Sequence, residues 1–478
     1  MANICTQTDS YKGTHWKQYP KGTQFVYSYL ESRGGKFDNT VFYGLQYILK
    51  KYFVGQQVTE SKIQMAKKFW DAHIGPGLFN EAGWRHILEK HNGYLPIKIK
   101  AVPEGTPVST HNVLATVENT DPEVPWLTNF IETMLLQVWY PITVATLSRE
   151  IKKILIKYLK KTTSYSSEEI NNIVRFQLHD FGFRGTGSFE SAGIGGSAHL
   201  VNFFGTDTVA AIEAIQEFYN TDEMVGFSIP ASEHSTITSW GRENESKAFE
   251  NMLTSYPTGL VACVSDSFNI LNACDKIWGQ ELKDLIVNRE GRLVIRPDSG
   301  DPVQTLKRVF GILWERFGGV VNEKGFKVLH PNVRVIQGDG VNIESIVEIL
   351  DMMVEQGFSA ENIAFGMGGA LLQKVDRDTQ KFAFKCSSIT IDGTERDVMK
   401  NPMEIDENGN QVESFKKSKS GKMILRKKSL KETSEEHFTE EHSDPNSPDD
   451  IMVTVFENGV MTKEWEFGEI RQRAEVII

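Results

Sequence analysis

Polar and charged residues recur at the ends of short apolar runs between residues 176 and 372, where they could act together. The set comprises Arg184, Asp207, His234, Asp266, Arg296, Asp298, Asp339 and the glycines Gly338, Gly366, Gly368 and Gly369. Arginine binds phosphate oxygens through two donors at once, and glycine turns that open helices present backbone N–H groups to anions. Carboxylates bind ribose hydroxyls and Mg²⁺. The combination indicates a site for a phosphate-bearing sugar and a metal ion.

Each of these signals also has an ordinary structural explanation. The glycine-rich segments GMGGALLQK and GIGGSAHL are typical of tight turns or of close helix packing as well as of phosphate binding. A lone histidine such as His234 more often caps a helix or bonds within a core. Asp298 could form only an Asx turn, and Arg184 could pair with a neighbouring carboxylate. Both interpretations stay open at the level of the residues.

Seven apolar runs precede these residues and determine where they lie. The runs are FQLHDFGFRG at Phe176, LVNFFGTDT at Leu200, VGFSIPASEH at Val225, GLVACVSDS at Gly259, RLVIRPDSG at Arg292, VRVIQGDG at Val333 and NIAFGMGG at Asn362. Successive runs begin 24 to 41 residues apart, which is the size of a βα repeat. Seven units favour an α/β fold with a parallel barrel, although periodicity alone also permits a doubly wound sheet. In a barrel the polar residues would share one rim, at the carboxyl ends of the strands.

Two helices between these runs are well marked. Asp301 and Pro302 supply an N-cap and a first-turn proline, and the following residues keep one helical face apolar. Asn342 begins a second amphipathic helix, for which Gly357 is a plausible C-terminal stop.

The flanks of the barrel segment have a different pattern. Residues 1–150 mix helices with strand-like pieces, and the segments SSITI-DG-TERDV and MVTVFE-NG-VMTKEW near the C-terminus are typical hairpins. We therefore expect a barrel over 151–387 and a second, smaller β-rich domain built from 1–150 and 388–478. The charge-rich residues 427–450 predict a mobile acidic loop within that domain.

Composition narrows the function classes. The chain of 478 residues carries a formal net charge of −11, which disfavours nucleic-acid binding because phosphate neutralisation needs an excess of Lys and Arg. Four cysteines without a CxxC pair indicate neither a zinc knuckle nor a disulfide scaffold, and no cluster of metal ligands is recognised. The N-terminus lacks a long apolar segment, and the apolar stretch 125–147 contains polar residues and a proline. We expect a cytoplasmic protein with no membrane partner.

Several catalytic motifs are absent from the sequence. It has no GxxxxGK[ST], no GxGxxG after a strand, no HExxH and no GxSxG. Kinase, dinucleotide-dependent dehydrogenase, metalloprotease and α/β-hydrolase interpretations are therefore disfavoured.

Long segments of the chain resemble the nicotinamide phosphoribosyltransferase family, a group of type II phosphoribosyltransferases. The segments are TDSYKGTHWKQYP, TVFYGLQYILKKY, LHDFGFRG, FFGTDTVA, SIPASEHSTIT, VSDSFNI, LVIRPDSGDP, RVIQGDGV and NIAFGMGGALLQK. They occur in order from about residue 8 to residue 402, and the resemblance resumes in the C-terminal hairpin. The resemblance implies an irregular parallel β/α barrel with a β-rich domain, and a homodimer with active sites at the interface.

The resemblance also implies a site for the base. Phe181 and the Tyr11 of a second subunit would sandwich a nicotinamide ring. Asp207 would accept from the carboxamide NH₂ group and repel the carboxylate of nicotinate. Ser228 and Ala231 belong to the same implied substrate-binding set.

The remaining implied roles concern phosphoribosyl pyrophosphate, Mg²⁺ and ATP. Arg184 and Arg296 would hold the pyrophosphate, and Asp298 would bind the ribose. The positions implied to receive the ribose, its 5-phosphate or other parts of the substrate are Ser265, Gly338, Asp339, Gly368, Gly369 and Arg377. His234 would be phosphorylated by ATP, a co-substrate, with Glu233 beside it. The residues that would ligate Mg²⁺ stay unassigned.

The sequence departs from the family pattern at Asn269, which replaces an aspartate, and at Met367, which replaces a serine. Two other functions stay open: a nicotinate phosphoribosyltransferase of the same fold, and a non-catalytic binding protein on this scaffold. The presence of Arg184, Asp207 and His234 disfavours the non-catalytic alternative.

Overall fold

The computed structural model describes residues 3–405, 411–413, 417–429 and 435–478. The chain forms two compact units. The first comprises Met1–Thr146, Gln216–Thr221 and Asp376–Ala474, and the second comprises Leu147–Ile215, Asp222–Val375 and Glu475–Ile478. The two main boundaries lie near residues 146 and 376, where the sequence predicted 150 and 388, and the short segments Gln216–Thr221 and Glu475–Ile478 also cross between the units.

The strands fall into three blocks along the chain. The first and last blocks belong to the first unit, and the middle block belongs to the second. The first flank contains β1 (Thr23–Ser32), β2 (Asn39–Val41), β3 (Ile97–Ala101), β4 (Pro107–Ser109) and β5 (Val113–Asn119). The second unit contains β6 (Leu178–Asp180), β7 (Gly205–Thr206), β8 (Thr258–Val264), β9 (Glu290–Arg296), β10 (Gly319–Val321), β11 (Lys327–Leu329), β12 (Val333–Gln337) and β13 (Ile363–Met367). The last flank contains β14 (Phe382–Ile391), β15 (Thr394–Asp397), β16 (Met403–Ile405), β17 (Gln411–Glu413), β18 (Met423–Ser429), β19 (Glu435–Glu441), β20 (Val453–Glu457) and β21 (Val460–Met461).

The helices follow the same order. They are α1 (Leu45–Tyr52), α2 (Glu60–His73), α3 (Glu81–Lys90), α4 (Leu127–Phe130), α5 (Glu132–Leu136), α6 (Trp139–Thr162), α7 (Ser167–Val174), α8 (Phe189–Leu200), α9 (Val209–Phe218), α10 (His234–Thr238), α11 (Glu245–Ser255), α12 (Ile270–Asn272), α13 (Lys283–Val287), α14 (Pro302–Phe317), α15 (Ile343–Glu355), α16 (Gly369–Leu372) and α17 (Phe467–Ala474). Short 3₁₀ helices and a π-helix at Ala273–Glu281 complete the set. None of the helices that the structure describes has the length and apolar character that a membrane span requires.

The first unit is built on an antiparallel sheet with the strand order β15-β14-β1-β5-β3-β20-β21. The strands of the two flanks therefore share one sheet. Its two predicted hairpins are confirmed, because Asp392-Gly393 and Asn458-Gly459 adopt the positive φ values that two-residue turns require.

Strand pairing replaces part of the loop predicted at residues 427–450. β18 and β19 pair antiparallel, and Arg426 binds Glu440 across the pair at 2.5 Å. Opposite charges on facing strands stabilise the pairing, and buried Met423 and Leu425 anchor it. Residues 430–434, which belong to the predicted loop, lie outside the described residues.

The second unit contains six parallel strands in the order β7-β6-β13-β12-β9-β8. Phe227 bridges Gly205 at one edge of this sheet, and Ala231 bridges Ala262 at the other. The segment between these bridges contains Pro230, which cannot donate to a strand ladder, so the sheet curls and closes irregularly. This geometry supports the predicted irregular parallel β/α barrel over a doubly wound sheet.

The helices around the barrel begin where the sequence signals indicated. Asp301 caps α14 by accepting from the Gln304 N–H at 2.8 Å, and Asn342 caps α15 by accepting from the Ser345 N–H at 2.8 Å. The segment GIGGSAHL lies within α8, where a Cβ at Gly196 would be 2.7 Å from the Ala211 Cβ. Close helix packing, the structural alternative, therefore accounts for this glycine.

Candidate active site

The carboxyl ends of the barrel strands surround a cavity of about 510 Å³. Ten residues predicted for the site line it: Phe181, Arg184, Asp207, Glu233, His234, Arg296, Asp298, Gly338, Asp339 and Gly368. Phe183, Thr208 and Ser235 complete the lining. The order of the strands brings together residues from positions 181 to 368, as expected for the rim of a barrel.

Phe181 lies directly after β6, and the backbone of β13 makes room for its ring. A Cβ placed on Gly366 would lie 1.9 Å from the Phe181 Cε2 atom. The Phe181 N–H also donates to the Met367 carbonyl at 3.0 Å. Gly366 is therefore needed for the position of the ring, whereas the sequence suggested an anion-binding turn here.

Asp207 follows β7 and is bonded on two sides. Its N–H donates to the Asp180 carbonyl at 2.9 Å, and its Oδ1 atom accepts from the Ser228 hydroxyl at 2.5 Å. The side chains of Asp207 and Ser228 are both exposed. A carboxylate beside a hydroxyl group can receive the N–H donors of a bound amide.

Buried Asp180 supports the loop that carries Phe181. Its Oδ1 atom accepts from the Gly182 N–H at 2.7 Å, and its side chain has no solvent exposure. Burial raises the pKa of Asp180 to about 6, against the opposing effect of that hydrogen bond.

His234 begins α10 and faces two carboxylates. Its Nε2 atom lies 2.9 Å from Asp266 Oδ1, and its Nδ1 atom lies 3.9 Å from Asp298 Oδ2. Asp266 is nearly buried and also accepts from the Asp298 N–H at 3.1 Å. The Asp266 carboxylate therefore orients both the imidazole ring and the Asp298 backbone. Glu233 is the residue before α10, and its carboxylate accepts from the Ser235 hydroxyl.

Arg296 ends β9 with its guanidinium toward Asp298, at a distance of 3.8 Å. Its Nε atom is buried without a hydrogen-bond partner. A buried donor without a partner costs folding free energy, so the Arg296 guanidinium gains a missing hydrogen bond when it binds an anion. Arg184 is exposed on the 3₁₀ helix Phe183–Gly185 of the same rim.

The charges around Asp298 oppose one another. Burial raises its pKa, Arg296 and His234 lower it, and Asp266 and Asp339 raise it again. The net result is a raised pKa, so the cluster favours additional positive charge. Asp298 and Asp339 both line this cavity, and carboxylate oxygens are the donor type that Mg²⁺ prefers.

The glycine turns after β12 and β13 bring backbone close to these groups. A Cβ on Gly338 would lie 3.4 Å from Asp298 Oδ1 and 3.5 Å from the Phe181 ring. Gly368 precedes the short helix α16, which begins at Gly369. Gly369 does not line the rim cavity.

A second cavity of about 430 Å³ occupies the interior of the barrel. Its apolar lining includes Ile229, Ala262, Val294, Ile336 and Ala364. Ser228 and Ala231 line this cavity, which shares Phe181, Asp207 and Arg296 with the rim cavity. An apolar space and a charged space therefore meet at these three residues.

Besides Gly369, three predicted residues line neither cavity. The Ser265 hydroxyl is buried, donating to the Cys263 carbonyl and accepting from the Trp278 indole. Tyr11 and Arg377 belong to the first unit, where both side chains are exposed.

The two sequence departures have structural roles. Asn269 caps α12, since its Oδ1 atom accepts from the Leu271 and Asn272 N–H groups. Met367 is buried, and its carbonyl accepts from the Phe181 N–H. The sequence places Asp266 at a strand end but indicates no role for it. Its role depends on contact with His234, which lies 32 positions away in the sequence.

Comparison with known families identifies the chain. The model of the nicotinate phosphoribosyltransferase (NAPRTase) family matches residues 176–438, which is more than half of the sequence. The chain belongs to this family. A second model, for the nicotinamide phosphoribosyltransferase N-terminal domain, matches residues 3–99.

Relatives within the family agree with the resemblance seen in the sequence. A protein of Xanthomonas campestris pv. campestris, named nicotinamide phosphoribosyltransferase, is 48% identical, covering 99% of this chain and 98% of its own. A protein of Acinetobacter baylyi with the same name is 34% identical, covering 98% and 97%. The recognition of the family is confirmed, and the protein is a phosphoribosyltransferase, hence a pentosyltransferase.

Solved structures with a similar fold confirm the fold class. Nicotinate-nucleotide pyrophosphorylase from Pyrococcus furiosus has a TM-score of 0.58 at 16% identity and covers 99% of this chain and 96% of its own. Human nicotinic acid phosphoribosyltransferase has a TM-score of 0.54 at 14% identity, covering 98% and 92%.

Proposed function

We propose that the protein joins nicotinamide to phosphoribosyl pyrophosphate, releasing nicotinamide mononucleotide and pyrophosphate, in NAD salvage. The observation that carries this proposal is the meeting of an apolar and a charged cavity at Phe181, Asp207 and Arg296. The aromatic base would lie on the apolar side and the phosphates on the charged side. The names of the relatives support the same choice of base.

The base would be selected by Asp207. The Phe181 ring offers a flat face to a pyridine ring, and the Asp207 carboxylate accepts from a carboxamide NH₂ group. Nicotinate would instead bring a second carboxylate against Asp207, which is repulsive. The Ser228 hydroxyl holds Asp207 in place at one oxygen.

The bond to the base would form as the bond to pyrophosphate breaks. The pyridine nitrogen donates its electron pair to the anomeric carbon of the ribose, and the C–O bond electrons leave with pyrophosphate. Arg184 and Arg296 stabilise the departing anion, while Asp298 faces the ribose and stabilises its developing positive charge. Asp298 and Asp339 would hold Mg²⁺, whose charge would neutralise part of the pyrophosphate.

ATP would act through His234. Transfer of the γ-phosphoryl group to an imidazole nitrogen releases ADP and leaves a phosphohistidine beside the pyrophosphate site. Asp266 holds the ring for this reaction at 2.9 Å. Hydrolysis of the phosphohistidine would then bias a reversible synthesis toward product.

The proposed assembly is a homodimer in the cytoplasm. Tyr11 is 62% exposed in the first unit, which suits the role of covering the base in a second subunit. Three of the four cysteines are buried and all four are free thiols, as suits a reducing compartment.

The test is a product assay with both bases, with and without ATP. Nicotinamide should be the better substrate, and Asp207→Asn should lower the preference over nicotinate at least about tenfold, or 1.4 kcal/mol. Ser228→Ala is the matched control, because it removes a contact of Asp207 but keeps the negative charge. Efficient turnover of nicotinate alone would favour a nicotinate phosphoribosyltransferase. Unchanged selectivity in Asp207→Asn would remove the role given to this residue.

A further inference from the structure

Two histidines and one aspartate meet in the first unit, and their cluster has no part in the reaction proposed above. His86 lies on α3, His91 directly follows this helix, and Asp121 lies in the turn after β5. The Nε2 atoms of His86 and His91 lie 2.7 and 2.6 Å from the same Asp121 Oδ2 atom. Among the residues that the structure describes, this is the group of three with ligand atoms close enough to hold a metal ion.

Surrounding hydrogen bonds fix the carboxylate that the two rings share. Asp121 Oδ1 accepts from the Glu123 N–H at 2.8 Å, which directs Oδ2 toward the histidines. The Asn119 side chain donates to the Asp121 carbonyl at 2.8 Å. The cluster is thus held by backbone contacts of the turn and does not depend on its three side chains alone.

The helix positions the backbone of both histidines, and the contacts with Asp121 orient their rings. The His91 N–H continues the helical pattern by donating to the Ile87 carbonyl at 3.1 Å. The His86 and His91 ring centroids are 5.9 Å apart, so their Nε2 atoms converge from two sides on one point.

We infer that the His86–His91–Asp121 cluster binds one transition-metal ion of the Zn²⁺ type. Two imidazole nitrogens and one carboxylate oxygen are a common ligand set for Zn²⁺, with water as the fourth ligand. Mg²⁺ and Ca²⁺ prefer oxygen ligands only, so the imidazoles select against them. The side chains are 25%, 26% and 15% exposed, which leaves a path for the ion and its water.

The present distances fit a site that opens slightly when it binds metal. Zn–N bonds of about 2.0–2.1 Å and Zn–O bonds of similar length in a tetrahedron separate neighbouring ligand atoms by roughly 3.3 Å. The carboxylate oxygen needs to move away from each nitrogen by roughly 0.6 Å. The ion then takes the place of the Nε2 protons in these two hydrogen bonds, and each neutral ring carries its proton on Nδ1.

The bound ion would connect parts of the first unit that are distant in sequence. It would join the end of α3 to the turn after β5, across 30 to 35 residues of chain. Such a link stabilises the folded state by an amount that grows with the logarithm of the free metal concentration once this exceeds the Kd.

Calorimetric titration with Zn²⁺ alone tests the site. The full-length protein, first dialysed against a chelator, is titrated without substrates and compared with His86→Gln/His91→Gln. The parent should bind one more ion per chain, and the variant should bind at this site more than about 100-fold more weakly, since even outer contacts of ligands contribute 10–100-fold. Cobalt substitution should give the visible absorption of a tetrahedral site in the parent only.

Three further measurements make the result decisive. His442→Gln removes a single exposed histidine beside Asp397 in the same unit, and this variant should bind like the parent. His234→Ala should also retain the tight site, which separates it from the rim of the second unit. Melting temperatures in chelator verify that every variant is folded. Equal Zn²⁺ stoichiometry and affinity in parent and double variant would overturn the inference and leave a hydrogen-bonded cluster only.

Discussion

Two histidine–carboxylate clusters among the described residues, one in each unit, use the same residue types in opposite proportions. In the second unit, His234 faces two carboxylates, Asp266 at 2.9 Å and Asp298 at 3.9 Å. In the first unit, His86 and His91 share the single carboxylate of Asp121. The acid-rich cluster lines a cavity of about 510 Å³, whereas the histidine-rich cluster lies at the end of a helix.

The different proportions shift the pKa of the aspartate in opposite directions in the two clusters. Burial and the neighbouring carboxylates raise the pKa of Asp298 despite Arg296. Burial opposes ionisation of Asp121 as well, yet hydrogen bonds from the Glu123 N–H and both histidines lower its pKa to about 2. The acid-rich cluster therefore carries negative charge that a cation can balance, while hydrogen bonds already satisfy the carboxylate of the histidine-rich cluster. Function and stability should consequently separate between the two clusters.

The largest expected effect comes from removing one carboxylate of each cluster. Asp298→Asn should lower kcat/KM about 100-fold or more, because the rim loses charge that stabilises the transition state. Its thermal stability should be unchanged or higher, since an acid with a raised pKa is held in the folded state at a cost. Asp121→Asn should do the reverse, lowering the melting temperature while activity stays near that of the parent.

Steady-state kinetics in Mg²⁺ without chelator measure the activity of both variants, and thermal unfolding in the presence of chelator measures their stability. The chelator ensures that the stability difference reports hydrogen bonding and charge rather than a metal ion. The contrast between the clusters would break if both variants lost stability alike, or if Asp121→Asn lost activity.

A second prediction concerns the histidines. His234→Ala should abolish the ATP-dependent enhancement of synthesis and leave part of the basal rate, because the imidazole accepts the phosphoryl group but does not hold the base. His91→Gln should keep the full enhancement. Initial rates with and without ATP, together with detection of acid-labile phosphate on the protein, provide the measurement. Enhancement that persists in His234→Ala would refute the phosphohistidine.

Local signals predicted the barrel and missed the histidine-rich cluster for a physical reason. Asp301 and Asn342 cap helices by accepting from N–H groups three residues further on. Such short-range pairs can be recognised in the sequence. The members of the cluster are separated by as many as 35 positions, and no spacing rule connects His86 to Asp121. The packing role of Gly366 was hidden in the same way, because Phe181 approaches it from another strand.

The loop predicted at residues 427–450 was wrong where the chain forms the end of β18 and β19. A high density of Lys and Glu is typical of a loop, and the sequence predicted one. Opposite charges that face each other across β18 and β19 instead stabilise strand pairing. Composition records which charges are present but not which of them are neighbours.

A last prediction tests whether the excess of carboxylate charge in the second unit extends below the rim of the barrel. Asp180 is fully buried behind Asp207, and burial raises its pKa to about 6 from 3.8. Because the folded state favours the protonated acid, its contribution to stability is complete below about pH 4 and is lost as pH rises through 6. A shift of this size corresponds to about 3 kcal/mol. Asp180→Asn, which keeps an acceptor for the Gly182 N–H, should lack this loss.

Urea unfolding between pH 4 and pH 7.5 measures the difference. The free energy of unfolding of Asp180→Asn, relative to the parent, should rise by up to about 3 kcal/mol across this range. Asp222→Asn, at an exposed position of the same unit, should follow the parent at every pH. Parallel curves for parent and Asp180→Asn would mean that Asp180 ionises freely, and that the excess of negative charge is confined to the residues of the rim.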